Sequence, residues 1–178
     1  MKMSGGVEWA LHCAFALTAA DRPVPAARLA ELHDVSPTYL AKQLQALARA
    51  GLIHAVQGHA GGYALSRPPS EITVLDVVEA IDGRSPAFTC TDIRTRGPMP
   101  ASPEACRTPC AIHQAMIAAD DAWRASLRSV TIADLASGVT AQHGPGILTG
   151  IRGWLGAEGT ARGGVKPQPG AGAADRHG

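Results

Sequence analysis

V-S-P-T-Y-L-A-K-Q-L-Q-A-L-A-R-A-G-L-I-H-A-V-Q-G-H-A-G-G-Y-A-L-S-R, residues 35–67, is the stretch that sets the fold. It opens as a helix start. Ser36 offers a capping hydroxyl, and Pro37 stands in the first turn, where its missing N–H costs nothing. Leu40, Leu44 and Leu47 recur at helical spacing and mark an inward face. Tyr39, Lys42, Gln43 and Arg49 are left to other faces and able to reach outward. Gly51 supplies the residue that ends a helix from its C′ position. Two short apolar runs follow, 52–56 and 63–65, joined by a glycine-bearing turn, which is a hairpin pattern with a slightly long loop. A helix over 25–33, with Leu29 and Leu32 inward, comes just before. Helix, turn, helix and hairpin in that order predict a mainly α fold built on a winged helix-turn-helix. Residues 35–70 hold three fixed cations (Lys42, Arg49, Arg67), two histidines (His54, His59) and no carboxylate. That local sign suits a surface facing the phosphates of DNA.

Toward the N-terminus, residues 6–20 form a helix with Val7, Leu11, Ala14, Phe15 and Leu17 on its apolar side. Glu8 and His12 are four apart and project from one face, with Trp9 and Cys13 as the next such row. Toward the C-terminus, Arg67-Pro68-Pro69-Ser70 is a stiff connector, and 72–82 is a short helix burying Val74, Val77, Val78 and Ile81. Five prolines between 84 and 109 forbid a long regular element there. Cys110 then begins a helix expected to run to about residue 130. Its apolar seam of Ile112, Met116, Ala119, Trp123, Leu127 and Val130 suits pairing with a second copy. Twelve of the 20 glycines lie from Gly138 onward, where a disordered tail is expected, Ile147–Leu155 being set apart from it. The expected organisation is a winged-helix domain over 1–83, a cysteine-bearing loop over 84–109, a dimerisation helix over 110–137 and a tail over 138–178.

The 178 residues suit one modest domain, 46% hydrophobic and only 4% aromatic. A formal charge of +1 says nothing about nucleic acid; only local clustering does. No run approaches about 18 apolar residues, and the N-terminus meets Glu8 and His12 too early for a signal peptide. A cytoplasmic protein is expected. In a reducing compartment Cys13, Cys90, Cys106 and Cys110 point to metal or redox chemistry rather than a disulfide framework.

The runs R-L-A-E-L-H-D-V-S-P-T-Y-L-A-K-Q-L-Q-A-L-A-R-A-G-L-I and G-H-A-G-G-Y-A-L-S-R-P-P-S-E-I-T-V-L-D-V-V-E-A-I-D-G resemble the IscR/NsrR-type bacterial winged-helix regulators. The later L-R-S-V-T-I-A-D-L extends the likeness, which covers roughly residues 6–135. It implies a homodimer on palindromic operator DNA and, in many members, an iron–sulfur cluster between subunits. The Glu8/Trp9/His12 pattern resembles that of a redox-sensing member of the group. Two departures stand out. Gln57 occupies the place where the family wing usually carries an arginine, with His59 nearby as a substitute. Fifteen residues separate Cys90 from Cys106, and three separate Cys106 from Cys110, unlike the closer family spacing.

A 2Fe–2S cluster needs four terminal ligands, and histidine replacement of thiolate raises its potential. Cys106 and Cys110 are close enough in the chain to share one iron, and Cys110 sits at a helix start whose dipole favours a thiolate. Glu8 and His12 offer a carboxylate and an imidazole to the other, from the partner subunit. The expected ligand set is therefore Glu8, His12, Cys106 and Cys110, with Cys90 the rival thiol and Cys13 a buried inert one. Rival chemistries are a metal-free Cys106–Cys110 dithiol and a zinc site. On the recognition helix, Ser36, Thr38, Tyr39, Lys42 and Gln43 are base or phosphate candidates, Gln43 suiting adenine and Lys42 guanine or phosphate. His59, Gly61 and Gly62 form the expected wing tip. His33 and His113 read as surface residues, Met116 and Trp123 as dimer core. A cofactor-free sensing regulator and a protein-binding winged helix are the competing functions. An enzyme is disfavoured: there is no phosphate loop or nucleophile elbow, and Glu8–His12 lacks the second histidine of a metalloprotease helix.

Overall fold

The chain builds its helices where apolar residues recur every three to four positions, and its one hairpin where they do not. In the computed structural model, which describes residues 3–58 and 61–157, the order is α1 (Gly5–Thr18), α2 (Ala26–Leu32), α3 (Pro37–Arg49), β1 (Ile53–Val56), β2 (Gly62–Leu65), α4 (Val74–Asp82), α5 (Ala111–Arg128), α6 (Ile132–His143) and α7 (Gly146–Gly156).

The helix-turn-helix is held by two helix ends of the same design. At the end of α2, Asp34 takes a left-handed φ of 49°, its amide donates to Glu31 O, and Val35 N donates to Ala30 O. Gly51 does the same after α3 at φ 71°, with Gly51 N donating to Ala48 O and Leu52 N to Leu47 O, both at 3.0 Å. Each is a Schellman closure, and aspartate is one of the few non-glycine residues that tolerates the left-handed region. Leu40, Leu44 and Leu47 are fully buried, as their spacing predicts. Ser36 is the N-cap of α3, but its hydroxyl makes no capping bond. Pro37 at N1, which needs no partner for its nitrogen, carries the start instead. β1 and β2 pair antiparallel with Ile53 opposite Leu65, and Val24 adds a third rung by exchanging bonds of 2.9 and 2.8 Å with Tyr63. A Cβ on Gly62 would lie 2.3 Å from the Val24 backbone carbon, so this approach needs glycine.

α1 is the central helix. It buries Gly6, Val7, Ala10, Cys13, Ala14, Ala16 and Leu17, mostly small residues that let neighbours come close. α4 and α6 start in matching fashion. Thr73 and Asp76 form a capping box, as do Thr131 and Asp134. The two starts are stitched together by Val74 N to Val130 O at 2.8 Å and Ile132 N to Ile72 O at 2.9 Å.

That second capping box changes the expected C-terminal half. The helix expected to run to about residue 130 ends at Arg128, and the rest of the 110–137 segment belongs to a second helix, α6, which Thr131 and Asp134 start. The tail expected from Gly138 is helical as far as Gly156; residues 158–178 lie outside the described part of the chain. In α7, Ile147, Ile151, Trp154 and Leu155 form an apolar row despite four glycines, and Leu155 is buried in the main core. The guanidinium of Arg28 lies 3.7 Å from the Trp154 ring centroid and donates to the Trp154 carbonyl. Arg22 donates to Gly156 O, and Arg152 to Ala19 O at 3.0 Å. Packing of this kind overrides weak helix propensity.

Replacing Thr131 by Ala removes one box and loosens the stitch between α4 and α6. The expected loss is about 1 kcal/mol of stability, read as a lowered urea midpoint with an unchanged m value.

Candidate nucleic-acid interface and metal-ligand residues

α3 presents its outer face through Thr38, Lys42, Gln45 and Arg49, spaced four, three and four, all exposed, with Ser36 and Tyr39 beside them. Neither Lys42 nor Arg49 makes an ion pair among the described residues. Gln43 departs from expectation. It is only 6% exposed and faces α1, where a Cβ on Gly6 would come within 2.7 Å of its Oε1. The reason is periodicity: Gln43 stands three after Leu40 and four before Leu47, inside the buried stripe. It therefore joins α3 to α1 and is not placed to read a base. Gln45 is the outward amide that the leucine pattern would have identified, had each polar residue been assigned a face. Arg67 is also withdrawn from the free cations, since its Nη2 lies 3.2 Å from Asp76 Oδ2. In the wing, Gly61 N donates to Gly58 O at 2.9 Å, and a Cβ on Gly61 would meet Val56 O at 2.4 Å. His59 lies outside the described residues. His54 is exposed on β1.

Glu8 and His12 are exposed on one face of α1, and Glu8 makes no ion pair among the described residues. With Leu11 and Phe15 of α1, Leu135, Val139 and His143 of α6, and Ile147 and Ile151 of α7, they line an open groove of about 500 Å³. His33 is not a surface residue. It is half-buried, with its ring edge-on to His12 at 5.5 Å and to Trp9 at 6.2 Å. Burial, aided by the neighbouring His12, holds its pKa below the usual histidine value.

The four cysteines are all free and differ in setting. Cys13 is buried in α1, and burial pushes its thiol up to about 12. Cys110 is the N-cap of α5, its Sγ accepting from His113 N at 3.5 Å. Cys106 lies in a short 3-10 turn over Ala105–Arg107. Cys90 Sγ accepts from Asp92 N at 3.4 Å, with Asp92 at a left-handed φ of 50°. The segment from 84 to 110 is irregular, as its prolines predict, but it folds back on itself. Arg94 Nη2 donates to Thr108 O at 2.6 Å, and Phe88 packs edge-on against His113 at 5.8 Å. Its start is fixed by Arg124, which bonds Asp120 Oδ2 and Glu79 Oε1 at 2.8 Å each and the carbonyls of Arg84 and Ser85. The Arg124 hydrogen bond holds the Asp120 carboxyl below the usual range. No three His, Cys, Asp or Glu side chains among the described residues are gathered closely enough to hold a metal ion. Among the described residues of one chain, Glu8, His12, Cys106 and Cys110 are thus not brought together.

The helix-turn-helix with its two-stranded wing, and an outward recognition face bearing free cations, are the features of a DNA-binding regulator. Residues 3–138 match the Rrf2 family, described as an iron-dependent transcriptional regulator. The chain belongs to the Rrf2 family. It is 33% identical over 152 residues to the HTH-type transcriptional regulator Rv1287 of Mycobacterium tuberculosis, covering 80% of this chain and 86% of that one. It is 40% identical to the regulator IscR of Aliivibrio salmonicida over 42% of this chain and 45% of that one. With YwgB of Bacillus subtilis the match, at 36% identity, covers 49% of this chain and 58% of that protein's length. Among solved structures, CymR, the global cysteine regulator of B. subtilis, overlays with a TM-score of 0.59 at 27% identity, over 77% of this chain and 97% of that one. IscR of T. potens overlays at 0.60 over 80% of this chain and 91% of that one, and at 21% identity supports the fold alone. The relatives and the fold are those of transcriptional regulators, not enzymes. No described helix is long and apolar enough to cross a membrane. The Rrf2 match stops at residue 138, so α7 lies beyond it.

Three outcomes follow from this geometry. Lys42→Ala lowers duplex affinity and reduces the slope of log affinity against log salt by about one, measured by fluorescence anisotropy. Gln43→Ala instead lowers the melting temperature and leaves that slope unchanged. Folded, metal-free protein treated with iodoacetamide carries label on Cys90, Cys106 and Cys110 but none on Cys13, read by peptide mass spectrometry.

Proposed function

We propose that this Rrf2 protein is a homodimeric, redox-sensing regulator of palindromic operator DNA, with a 2Fe–2S cluster shared between subunits. Glu8 and His12 of one chain and Cys106 and Cys110 of the other would hold it. One observation carries the reading. An imidazole and a carboxylate without an ion pair stand one turn apart on an exposed face, while the same chain's free thiols sit on a separate segment. A four-ligand cluster cannot be filled from these groups within one chain, so the donor chemistry fits a site divided two and two between copies. The packing of Phe88 against His113, whose amide bonds Cys110 Sγ, keeps the chain near Cys90 beside Cys110. Cys90 is therefore a direct competitor of Cys106 for the second thiolate position.

When bound, such a group supplies a one-electron change of charge at the subunit boundary. The chain's own residues determine how far such a change reaches. Glu8 lies two residues from Gly6, which seats against Gln43 of the recognition helix. Tyr39 Oη stands 3.9 Å from the position a Cβ on Gly5 would take, so α1 touches α3 at two points. A shift of α1 is thus passed to α3, and in a dimer to the separation of two recognition helices that must match grooves about 34–36 Å apart. Ser36, Thr38, Tyr39, Lys42, Gln45 and Arg49 are the residues proposed to meet the duplex, with the wing at His59 and Gly61.

A second reading is a metal-free thiol switch. Cys106 and Cys110 would each lose a proton and together two electrons to an oxidant such as a disulfide, forming a bond between their sulfurs. CymR of Staphylococcus aureus, 28% identical over 76% of this chain, was solved in an oxidised form.

Purification without oxygen separates the two. The cluster reading expects about two irons and two sulfides per bound site, with visible absorption that bleaches on reduction. His12→Ala removes it, and Cys90→Ser or Cys106→Ser, whichever loses it, names the second thiolate. Colourless, iron-free protein whose duplex binding responds to disulfide oxidants establishes the thiol switch instead.

A further inference from the structure

The link between α1 and α2 runs beside the end of the wing. Val24 pairs with Tyr63, which lays residues 20–23 alongside the close of β2. Between them lies an open cavity of about 300 Å³. Its apolar walls are Leu17 and Ala20 from the α1 side and Ala64 and Leu65 from β2. Two guanidinium groups stand at it, Arg22 of the link and Arg67 of the chain leaving β2. Neither is fully neutralised. Arg22 donates to Gly156 O and makes no ion pair among the described residues. Arg67 faces Asp76 Oδ2 at 3.2 Å, but that oxygen also accepts Thr73 N at 2.9 Å in its capping box, and Arg67 Nε is buried without a partner. The carboxylate in the lining, Asp21, lies 3.4 Å from Arg152 of α7. The Thr18 hydroxyl donates back to Phe15 O. The cavity thus presents apolar walls and two cations whose counter-charges are shared or absent.

We propose that this cavity binds a small monocarboxylate with an apolar body, its carboxylate held between Arg22 and Arg67 and its body lying against Leu17 and Leu65. Guanidinium groups meet carboxylates through paired, coplanar N–H donors, the strongest of the charge-assisted hydrogen bonds. Size agrees. A dry cavity of about 150 Å³ holds benzene, so about twice that volume takes a ring or a short chain together with its acid group. The mixed lining decides the class. A phosphate dianion would leave the leucine side chains unused. An uncharged apolar molecule would leave both guanidinium groups without a counter-charge. An α-amino acid would bring an ammonium group, and Asp21 is already engaged by Arg152. The place bears on DNA reading, because one cation precedes α2 and the other leaves the wing. A single bound carboxylate would therefore join two parts of the winged helix-turn-helix. Glu8, His12 and the loop thiols take no part, so this site is independent of the proposed cluster.

The test is calorimetric titration of the full chain with sodium phenylacetate and, separately, sodium hexanoate, with ionic strength held constant by chloride. The expected result is one acid bound per chain and a melting temperature raised by about 4 °C at about ten times its Kd. Phenylacetamide, the same body without the charge, binds about tenfold more weakly. Arg22→Gln weakens acid binding by about tenfold; Arg22 is exposed, so this variant keeps the fold. Ala64→Leu fills the cavity and abolishes binding, while Lys42→Ala, on the outer face of α3, leaves it unchanged. The proposal is overturned if neither acid binds, or if Arg22→Gln binds the acids as the unaltered chain does. Inorganic phosphate or phenylacetamide binding as tightly as the acids also overturns it, since the site would then read charge alone or shape alone.

Discussion

The seat of α1 on α3, at Gly6 against Gln43, is the contact on which the arrangement of functional residues depends. A side chain at residue 6 would push into the Gln43 amide, so the helices approach this closely because one of them has no Cβ there. The approach turns Gln43 inward and leaves Thr38, Lys42, Gln45 and Arg49 outward. It also turns the opposite side of α1 to solvent, where Glu8 and His12 stand. One close contact thus sets both the outward face of α3 and the Glu8/His12 face of α1, and makes it difficult to move one without the other.

Environment sorts the chain's polar and thiol groups more sharply than position does. Cys13 and His12 are neighbours in sequence, yet the thiol is wholly buried and the imidazole exposed. The thiols of the 84–110 segment are reachable and uncommitted to disulfides, and that segment is anchored rather than loose because Arg124 bonds two carboxylates and two carbonyls at its origin. The Arg124, Glu79 and Asp120 side chains of these ion pairs are largely covered. They fix where the cysteine segment leaves α4. The cations of the helix-turn-helix are divided in the same way: Arg67 goes to Asp76, and Arg22 and Arg28 go to the end of α7. Lys42 and Arg49 are left as the free positive groups of α3.

Much of this was legible in the residues. The leucine stripe of α3, the Gly51 stop, the hairpin and the row of α1 all appear where short-range periodicity and cap chemistry put them, because each depends on residues within one or two turns. The errors came from longer range. Gln43 looked like a reader because polar side chains usually face water; only its phase relative to Leu40 and Leu47 betrays burial. The end of α5 near residue 130 is legible in the sequence; the length of α6 is not, although its start at Thr131 and Asp134 uses the same device as Thr73 and Asp76. The stretch 147–155 stands apart by its apolar residues, but its glycine content hides that it is helical. Its helix depends on contacts with Arg22, Arg28 and the α1 end, more than a hundred residues away in the chain, which no local pattern reports. The ligand pairs were visible as types, but whether they meet depends on a second copy.

α7 holds α2 of the helix-turn-helix while α1 holds α3. Its Ile147 and Ile151 line the groove, while one to two turns on, Trp154 holds Arg28 of α2 and Leu155 enters the core. Both helices of the reading unit are therefore tied to groove walls: α3 through α1 at Gly6, and α2 through α7 at Trp154. If the walls part, α2 and α3 must turn together, since their own connection is locked by the left-handed Asp34 and its two amide bonds. Such a lock converts a small change of groove width into rotation of the whole recognition unit rather than distortion within it. In the proposed dimer, such a motion would change the separation of the two reading units while leaving each unit intact.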